Sequence, residues 1–209
     1  MAKTSRSTVP VDAVRTRRAY FDCRFGQLHV RTAFPTTGGF DEQVTLFCLH
    51  AAPGSSRMFA RFLPEIADVR SVYAPDLPGL GESDPSPTAA VADAASAVSD
   101  LASDLRLRQI DLLGVRSGAE VALELAAARP DLVRRLVLVD VSPVGRAPVK
   151  QPALLMRVRT DAADGGIAKL RTALMAVQLV DLAGYTDDLF EAAAKTLAAQ
   201  IGAFLAGHA

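Results

Sequence analysis

Short apolar segments alternate with helix-like patterns along most of the chain. The β-type runs Tyr20–Cys23 and Gln27–Ala33 are separated by three residues that end in Gly26, which predicts a hairpin. Val44–Leu49 is almost continuously apolar, a pattern that is typical of a strand buried on both faces of a parallel sheet. Further strands are predicted at Val69–Ala74, Ile110–Leu113, Leu132–Val141, Ala153–Val158 and Val177–Leu182. Helices are predicted at Met58–Ile66, Thr88–Leu105, Gly118–Ala128, Ile167–Leu174 and Leu189–Leu205. Strands that alternate with helices after a hairpin predict an α/β fold, with a mostly parallel sheet and helices on both faces.

The length of 209 residues predicts a single domain, since domains commonly hold about 100–200 residues. Residues 1–18 are polar and basic, and we expect them to form a flexible arm. Residues 19–209 are then the domain itself. Residues 142–152 contain three prolines and show no helical period, which predicts a linker between the strands on either side.

Composition and charge exclude several classes of protein. Half of the residues are hydrophobic, and 23 basic side chains balance 23 acidic ones, so nothing in the charge favours binding to nucleic acid or to an anionic membrane. Cys23 and Cys48 form no metal or redox spacing, and we expect reduced thiols in a cytoplasmic protein. The N-terminal stretch lacks the apolar region of a secretory signal, and no run approaches 18 apolar residues. We expect no metal and no cofactor.

Three segments, taken in order, carry a family resemblance. Residues 49–56 (LHAAPGSS) follow a predicted buried strand, and residues 74–84 (APDLPGLGESD) follow the next one. Residues 110–119 (IDLLGVRSGA) span a strand-to-helix turn. Together they resemble the α/β-hydrolase fold family, and the resemblance covers residues 19–209. It implies a sheet of about eight strands.

The resemblance implies a nucleophile on a sharp turn in a G-x-S-x-G segment, followed along the chain by a carboxylate and then a histidine. Alignment of Gly114 and Gly118 with the two glycines places Arg116 at the nucleophile position. A guanidinium stays protonated and offers no lone pair, so it cannot attack a substrate. Ser117 is a less favoured nucleophile, because it would need glycines at positions 115 and 119, which hold valine and alanine.

Of the other two positions of the catalytic triad, one retains the family's residue type and one does not. Asp161 stands where the family has its catalytic acid, although an ordinary helix-capping aspartate is an equal alternative. Tyr185 stands where the family has its histidine, and a phenol with a pKa of about 10 is a poor base at neutral pH. We expect His29, His50 and His208 to be structural or exposed. The resemblance is therefore to a hydrolase with a degenerate triad.

The loop that begins at His50 corresponds to the family's oxyanion loop. By resemblance, the backbone N–H of Ala52 faces an oxyanion, and Ser117 contributes a second backbone N–H. We also assign His50 and Ser55 to this candidate binding region.

Three functions remain open. The favoured one is a non-catalytic protein that binds a small molecule or a partner protein in the remnant active-site cleft. The second is a hydrolase of carboxylic esters or similar small substrates, with Ser117, Ser55 or Ser56 as an unconventional nucleophile. The third is a purely structural or assembly role.

The family usually inserts a helical cap of several dozen residues where this chain has only the linker 142–152. The resemblance therefore implies an uncapped pocket and a sheet face without its covering helix. Exposed apolar sheet of that kind is usually covered by a partner, so we expect a homodimer. For Arg116 we expect an ion pair with Asp161. Capture of a ligand anion at the helix N-terminus and exposure to solvent are the alternatives.

Overall fold

The computed structural model describes residues 14, 16–36, 43–142, 148–158, 174, 176–182 and 188–207. Its strands are β1 (Arg17–Cys23), β2 (Gly26–Ala33), β3 (Leu46–Leu49), β4 (Val72–Pro75), β5 (Ile110–Val115), β6 (Val133–Val139), β7 (Ala153–Arg157) and β8 (Val177–Asp181). Its helices are a 3-10 helix (Ser56–Phe59), α1 (Phe62–Ile66), α2 (Val91–Asp104), α3 (Ser117–Ala128), α4 (Leu189–Ala192) and α5 (Ala194–Ala206).

All eight strands form one sheet, in the order β1-β2-β4-β3-β5-β6-β7-β8. The pairs β1–β2 and β2–β4 are antiparallel, and the remaining strands run parallel. Gly26 begins β2 with a φ of 123°, a conformation that L-residues rarely adopt, so the hairpin turn depends on glycine there. The predicted α/β fold with a mostly parallel sheet is confirmed.

Helices cover both faces of the sheet. Helices α2 and α3 pack with the side chains of one face, which include Leu112, Leu138 and Leu155. Helices α1, α4 and α5 pack on the other face, against residues such as Leu113 and Val139. Because side chains alternate between faces along a strand, a central strand that is covered twice must be apolar at nearly every position.

Two predicted helices are interrupted. The segment Met58–Ile66 divides into the 3-10 helix and α1, because Pro64 has no N–H to donate to the carbonyl four residues earlier. The closing segment Leu189–Leu205 divides at Ala193, whose φ of −121° departs from helical geometry. The short helix α4 carries Phe190, whose ring packs against those of Phe59 and Phe62 at 5.0 and 5.2 Å between centroids.

Parts of the two predicted connecting segments lie among the described residues. β1 already begins at Arg17, so the last two residues of the expected arm belong to the sheet, and Val14 packs against the hydrophobic core. Within the linker 142–152, Val149 forms a parallel bridge with Leu174, and the buried Gln151 donates to the Pro130 carbonyl at 3.3 Å. The rest of the predicted helix Ile167–Leu174 lies outside the described residues.

Both cysteines are free, with Cys23 half-buried and Cys48 buried. Burial raises the pKa of the Cys48 thiol, so it is unreactive at neutral pH. No described helix is long and apolar enough to cross a membrane.

Candidate functional site

Arg116 occupies a sharp turn between β5 and α3, with a φ of 49° and a ψ of −112°. Non-glycine residues rarely adopt a positive φ, and such strain, of about 1–3 kcal/mol, persists only where the surroundings fix the backbone. The Arg116 N–H donates to the Val139 carbonyl at 2.9 Å, and its carbonyl accepts from Ala119 at 2.9 Å. Arg116 is half-buried at the carboxyl ends of the parallel strands, where open α/β sheets bind ligands.

The glycines on either side of Arg116 are required by packing. A Cβ at Gly114 would lie only 2.5 Å from Ala119 Cα, and one at Gly118 would overlap the Leu49 carbonyl oxygen. Helix α3 therefore contacts β5 and β3 directly through backbone atoms. The glycine spacing that was read from the sequence is the spacing that this close contact needs.

Ser117 and Ala52 are joined by a hydrogen bond across the turn. The backbone N–H of Ala52 donates to Ser117 Oγ at 2.7 Å. Ala52 is exposed and Ser117 is half-buried, so this pair lies at the surface end of the cleft. The N–H that the resemblance assigns to an oxyanion is thus bonded to a side chain of the same protein.

His50 is fully buried and links two loops. Its Nε2 accepts from the Leu77 backbone N–H at 2.9 Å, so the ring proton is on Nδ1, which donates to the Ala51 carbonyl at 3.0 Å. Burial lowers the pKa of His50 below its usual range, and the ring is neutral at pH 7. Both nitrogens have backbone partners, so His50 positions the loop after β3.

Ser55 and Ser56 begin the 3-10 helix. Ser55 is half-buried, and its Oγ accepts from the Arg57 N–H at 3.4 Å. Ser56 is buried, and its N–H donates to Asp76 Oδ1 at 2.6 Å.

Asp76 is buried and accepts from several donors. His29 Nδ1 and the Glu82 N–H both lie 2.9 Å from its Oδ2. Although burial disfavours the charge, hydrogen bonds from Ser56 and Glu82 outweigh it and lower the pKa of Asp76. Sequence analysis did not find the pairing of His29 with Asp76. The pairing follows from the antiparallel register of β2 and β4, in which Val30 faces Pro75 and the residues beyond that pair become neighbours.

A pocket of about 300 Å³ adjoins the His29–Asp76 pair. Its lining residues are His29, Gly54, Ser55, Arg57, Asp76, Gly81 and Glu82. The loop after β3 thus contributes to two places, because Ala52 faces Ser117 while Gly54 and Ser55 line this pocket.

The remaining candidate residues, Asp161, Tyr185 and His208, lie outside the described residues. The structure brings Arg116, Ser117 and Ala52 together at one turn, and it places Ser55 and His29 in a neighbouring pocket. Within the described ranges, no group of three His, Cys, Asp or Glu side chains could hold a metal ion.

Curated relatives match part of the chain. The sn-1-specific diacylglycerol lipase ABHD11 of Mus musculus is 39% identical over 79 residues, which are 38% of this chain and 26% of the relative. A soluble epoxide hydrolase of Corynebacterium is 34% identical over 47% of this chain and 35% of the relative. A haloalkane dehalogenase of Bradyrhizobium diazoefficiens is 33% identical over 52% of this chain and 35% of the relative. The chain spans between a quarter and about a third of the length of these proteins.

Solved structures match nearly the whole chain at low sequence identity. Cfl2 from Burkholderia cenocepacia has a TM-score of 0.78 at 17% identity, with 96% of this chain and 98% of that chain covered. The carboxylesterase CesB from Bacillus subtilis has a TM-score of 0.78 at 16% identity, with 94% of both chains covered. The family model for the alpha/beta hydrolase fold matches residues 44–197. With the strand order and the turn at Arg116, this match establishes that the chain belongs to the α/β-hydrolase fold family.

Proposed function

We propose that this protein is a non-catalytic α/β-hydrolase that binds a small molecule or a partner protein in the remnant of the active-site cleft. The observation that carries the proposal is Arg116 at the strained turn between β5 and α3. That turn presents the nucleophile in the family, and a guanidinium cannot act as one. The proposal also assigns Tyr185 to the position of the lost histidine base and Asp161 to the retained acid.

Arg116 suits an anionic ligand. Its guanidinium carries five N–H donors, and it stands at the start of the 12-residue helix α3, where backbone N–H groups favour negative charge. Carboxylate and phosphate groups are the ligands that both features favour. Residues 140–152 are too short to hold a helical cap between β6 and β7, which supports an open cleft.

The alternative is a hydrolase of carboxylic esters or similar small substrates, with Ser117, Ser55 or Ser56 as nucleophile. The names of the relatives, which include a lipase, an epoxide hydrolase and a dehalogenase, support it. The hydroxyl of Ser117 is bonded to Ala52, and Ser56 is buried. Ser55 lines a pocket and, unlike Ser56, is only half-buried. A purely structural or assembly role is the third candidate.

Covalent labelling separates the catalytic candidate from the others. The purified protein is treated with a fluorophosphonate probe, and hydrolysis of short p-nitrophenyl esters is followed in parallel. We expect no label and no turnover. Turnover above about 1 per second, which lies within the usual enzyme range, would contradict the proposal. Labelling that disappears only in Ser55→Ala, Ser56→Ala or Ser117→Ala would identify an unconventional nucleophile.

Binding at Arg116 is tested directly by native mass spectrometry and crystallography of the purified protein. We expect a bound anionic compound, or a protein partner, that is lost in Arg116→Ala and retained in Arg61→Ala. Arg61 is an exposed arginine paired with Glu191 at 3.1 Å and serves as the matched control. Equal binding by both variants would exclude Arg116 from the site.

The proposal also covers the compartment, the binding partners and the oligomeric state of the protein. The free thiols Cys23 and Cys48 support a reducing compartment, and we propose the cytoplasm. The balanced charge supports a site that does not bind nucleic acid. The edge strand β8, in which Leu179 is 40% exposed, supports a homodimer.

A further inference from the structure

The hydrogen bond between His29 and Asp76 has a defined direction. Both side chains are 2% exposed, and His29 Nδ1 lies 2.9 Å from Asp76 Oδ2. The carboxylate also accepts N–H groups from Ser56 and Glu82, so it is the charged acceptor and His29 Nδ1 is a donor. In the neutral ring, His29 Nε2 is therefore a hydrogen-bond acceptor.

That acceptor has no partner among the residues that the structure describes. His29 Nε2 is buried and makes no hydrogen bond to any of them. Buried polar atoms in folded proteins nearly always have a partner, and an orphan of this kind indicates a bound water or ligand group. His29 lines the pocket of about 300 Å³, which provides the space for such a group.

The charges around the pocket compensate one another. Arg57 Nη2 lies 3.8 Å from Glu82 Oε1, and the Tyr20 hydroxyl donates to Glu82 Oε2 at 3.1 Å. The negative charge of Asp76 is balanced by its N–H donors. Among the described lining residues, each charged side chain already faces an opposite charge or an N–H donor, whereas hydroxyl groups of a ligand can both donate and accept. The lining supplies acceptors in His29 and Glu82 and a donor in Arg57.

We propose that this pocket is a second ligand site, distinct from the turn at Arg116, and that it binds a small uncharged polyhydroxylated compound. One ligand hydroxyl donates to His29 Nε2, and others bond to Ser55, Arg57 and Glu82 at the rim. The site shares Ser55 with the candidate binding region but does not include Arg116, on which the proposed function rests, so either proposal can fail without the other.

In the proposed site, ligand entry requires Tyr20 to move, because His29 Nε2 is buried and the Tyr20 ring packs against the His29 ring. Its ring lies 5.4 Å from the His29 ring in an edge-on contact, and the residue is 52% exposed on the edge strand β1. An exposed side chain reorients within nanoseconds. Rotation of Tyr20, with loss of its hydrogen bond to Glu82, opens a path from the pocket to Nε2.

Ligand-observed NMR with the whole chain tests the site. The probes are glycerol, D-glucose and myo-inositol, with lactate and ethanolamine as charged counterparts of similar size. We expect saturable binding of at least one polyol and none of the charged compounds. The same polyol should shift the 15N resonance of His29 Nε2, because a new hydrogen bond forms at that atom. Binding of lactate or ethanolamine instead of the polyols would overturn the assignment to an uncharged ligand.

Two variants assign the contacts. His29→Asn keeps an amide donor towards Asp76 and removes the Nε2 acceptor, and Glu82→Gln changes a rim residue whose side chain is 42% exposed. We expect each to weaken polyol binding at least about tenfold, the effect of a 1.4 kcal/mol loss. Arg61→Ala, which alters an exposed ion pair outside the pocket, should leave it unchanged. Circular dichroism checks that the variants are folded.

Several results would overturn the proposal. One is that no probe binds the wild type at about 10 mM, a concentration high enough to detect weak, millimolar binding. Another is equal binding by the wild type and Glu82→Gln, which tests the site even if His29→Asn does not fold. The third is a high-resolution crystal structure with the polyol present in which only a water molecule contacts His29 Nε2.

Discussion

The backbone N–H of Ala52 donates to Ser117 Oγ at 2.7 Å, which places a side-chain oxygen where the family resemblance assigns an oxyanion. Ser117 directly follows Arg116, so this hydrogen bond lies at the same turn on which the proposed function rests. Backbone donors of this kind contribute to catalysis only when they are free to meet the developing charge. Under the proposed function, we expect this contact to oppose hydrolysis in addition to Arg116.

The first prediction concerns restoration of activity. Arg116→Ser with Tyr185→His supplies a nucleophile and a base, and we expect detectable hydrolysis of p-nitrophenyl acetate in the double variant but in neither single one. Adding Ser117→Ala frees the Ala52 N–H and should raise turnover at least about tenfold, since one oxyanion donor contributes about 10²–10³ in rate. A triple variant no faster than the double one would show that Ala52 does not serve as such a donor.

The second prediction is the ion pair between Arg116 and Asp161. Arg116 is half-buried, so the cost of Asp161→Ala should fall between about 1 kcal/mol, the upper value for exposed pairs, and about 3–5 kcal/mol for buried ones. A double-mutant cycle with Arg116→Ala, followed by urea unfolding, measures the coupling. In a crystal structure, a guanidinium–carboxylate distance beyond about 4 Å would rule the pair out.

Local patterns in the sequence were enough to predict the sheet and the turn. Leu112 and Leu113 face opposite helical layers, and that double burial is what makes the run of β5 continuously apolar. Gly114 and Gly118 identify the turn because nothing larger fits against the backbone there.

Other features depend on contacts between distant segments, which no local pattern encodes. His29 and Asp76 are 47 residues apart along the chain, and they meet only because β2 pairs with β4. The bond from Leu77 to His50 likewise depends on how two loops meet. The interruption of the closing helix at Ala193 could not be predicted either, because alanine favours helix. The feature that marks this position is the packing of Phe190, in the preceding short helix α4, against Phe59.

The third prediction concerns a buried ion cluster at the start of β5. Asp111 accepts from Arg134 Nη2 at 2.6 Å and from Arg70 Nη1 at 3.3 Å, and the side chains of Asp111 and Arg70 are fully buried. Burial outweighs these partners and raises the pKa of Asp111. Asp111→Ala leaves the Arg70 charge buried and uncompensated, so we expect the free energy of unfolding to fall by about 3–5 kcal/mol.

Urea unfolding measures this loss, and two further sets of substitutions serve as controls. Glu191→Ala breaks an exposed ion pair with Arg61 and should cost under about 1 kcal/mol. The double replacement Arg70→Met with Asp111→Leu removes both buried charges and should recover most of the loss. If Asp111→Ala cost no more than Glu191→Ala, the cluster would not stabilise the fold in the way that its burial implies.

The fourth prediction is the homodimer. β8 is an edge strand, and its Leu179 is 40% exposed, which is unusual for a large apolar side chain. We expect light scattering to give twice the mass of one chain at micromolar concentration, and Leu179→Lys to shift the protein towards monomer. A wild-type monomer under these conditions would count directly against the prediction.

The fifth prediction is a loss of stability on mild acidification, caused by His50. The folded-state pKa of His50 is lowered, whereas the unfolded-state pKa is about 6.5. Between these two values the unfolded state binds more protons, so the free energy of unfolding falls as the pH drops below about 6.5 and levels off below the folded-state pKa. Protonation of Nε2 also removes the acceptor for the Leu77 N–H, which loosens the loop beside Arg116.

Thermal or urea unfolding from pH 8 to pH 5 measures this dependence, with His50→Gln as the matched variant. Glutamine keeps an acceptor for the Leu77 N–H but does not titrate, so its stability curve should be flatter than that of the wild type. Asp76, whose pKa is also lowered, contributes only below about pH 4, since its unfolded-state pKa is near 3.9. The difference between the two curves thus isolates His50, and parallel curves would mean that His50 does not couple folding to protons in this range.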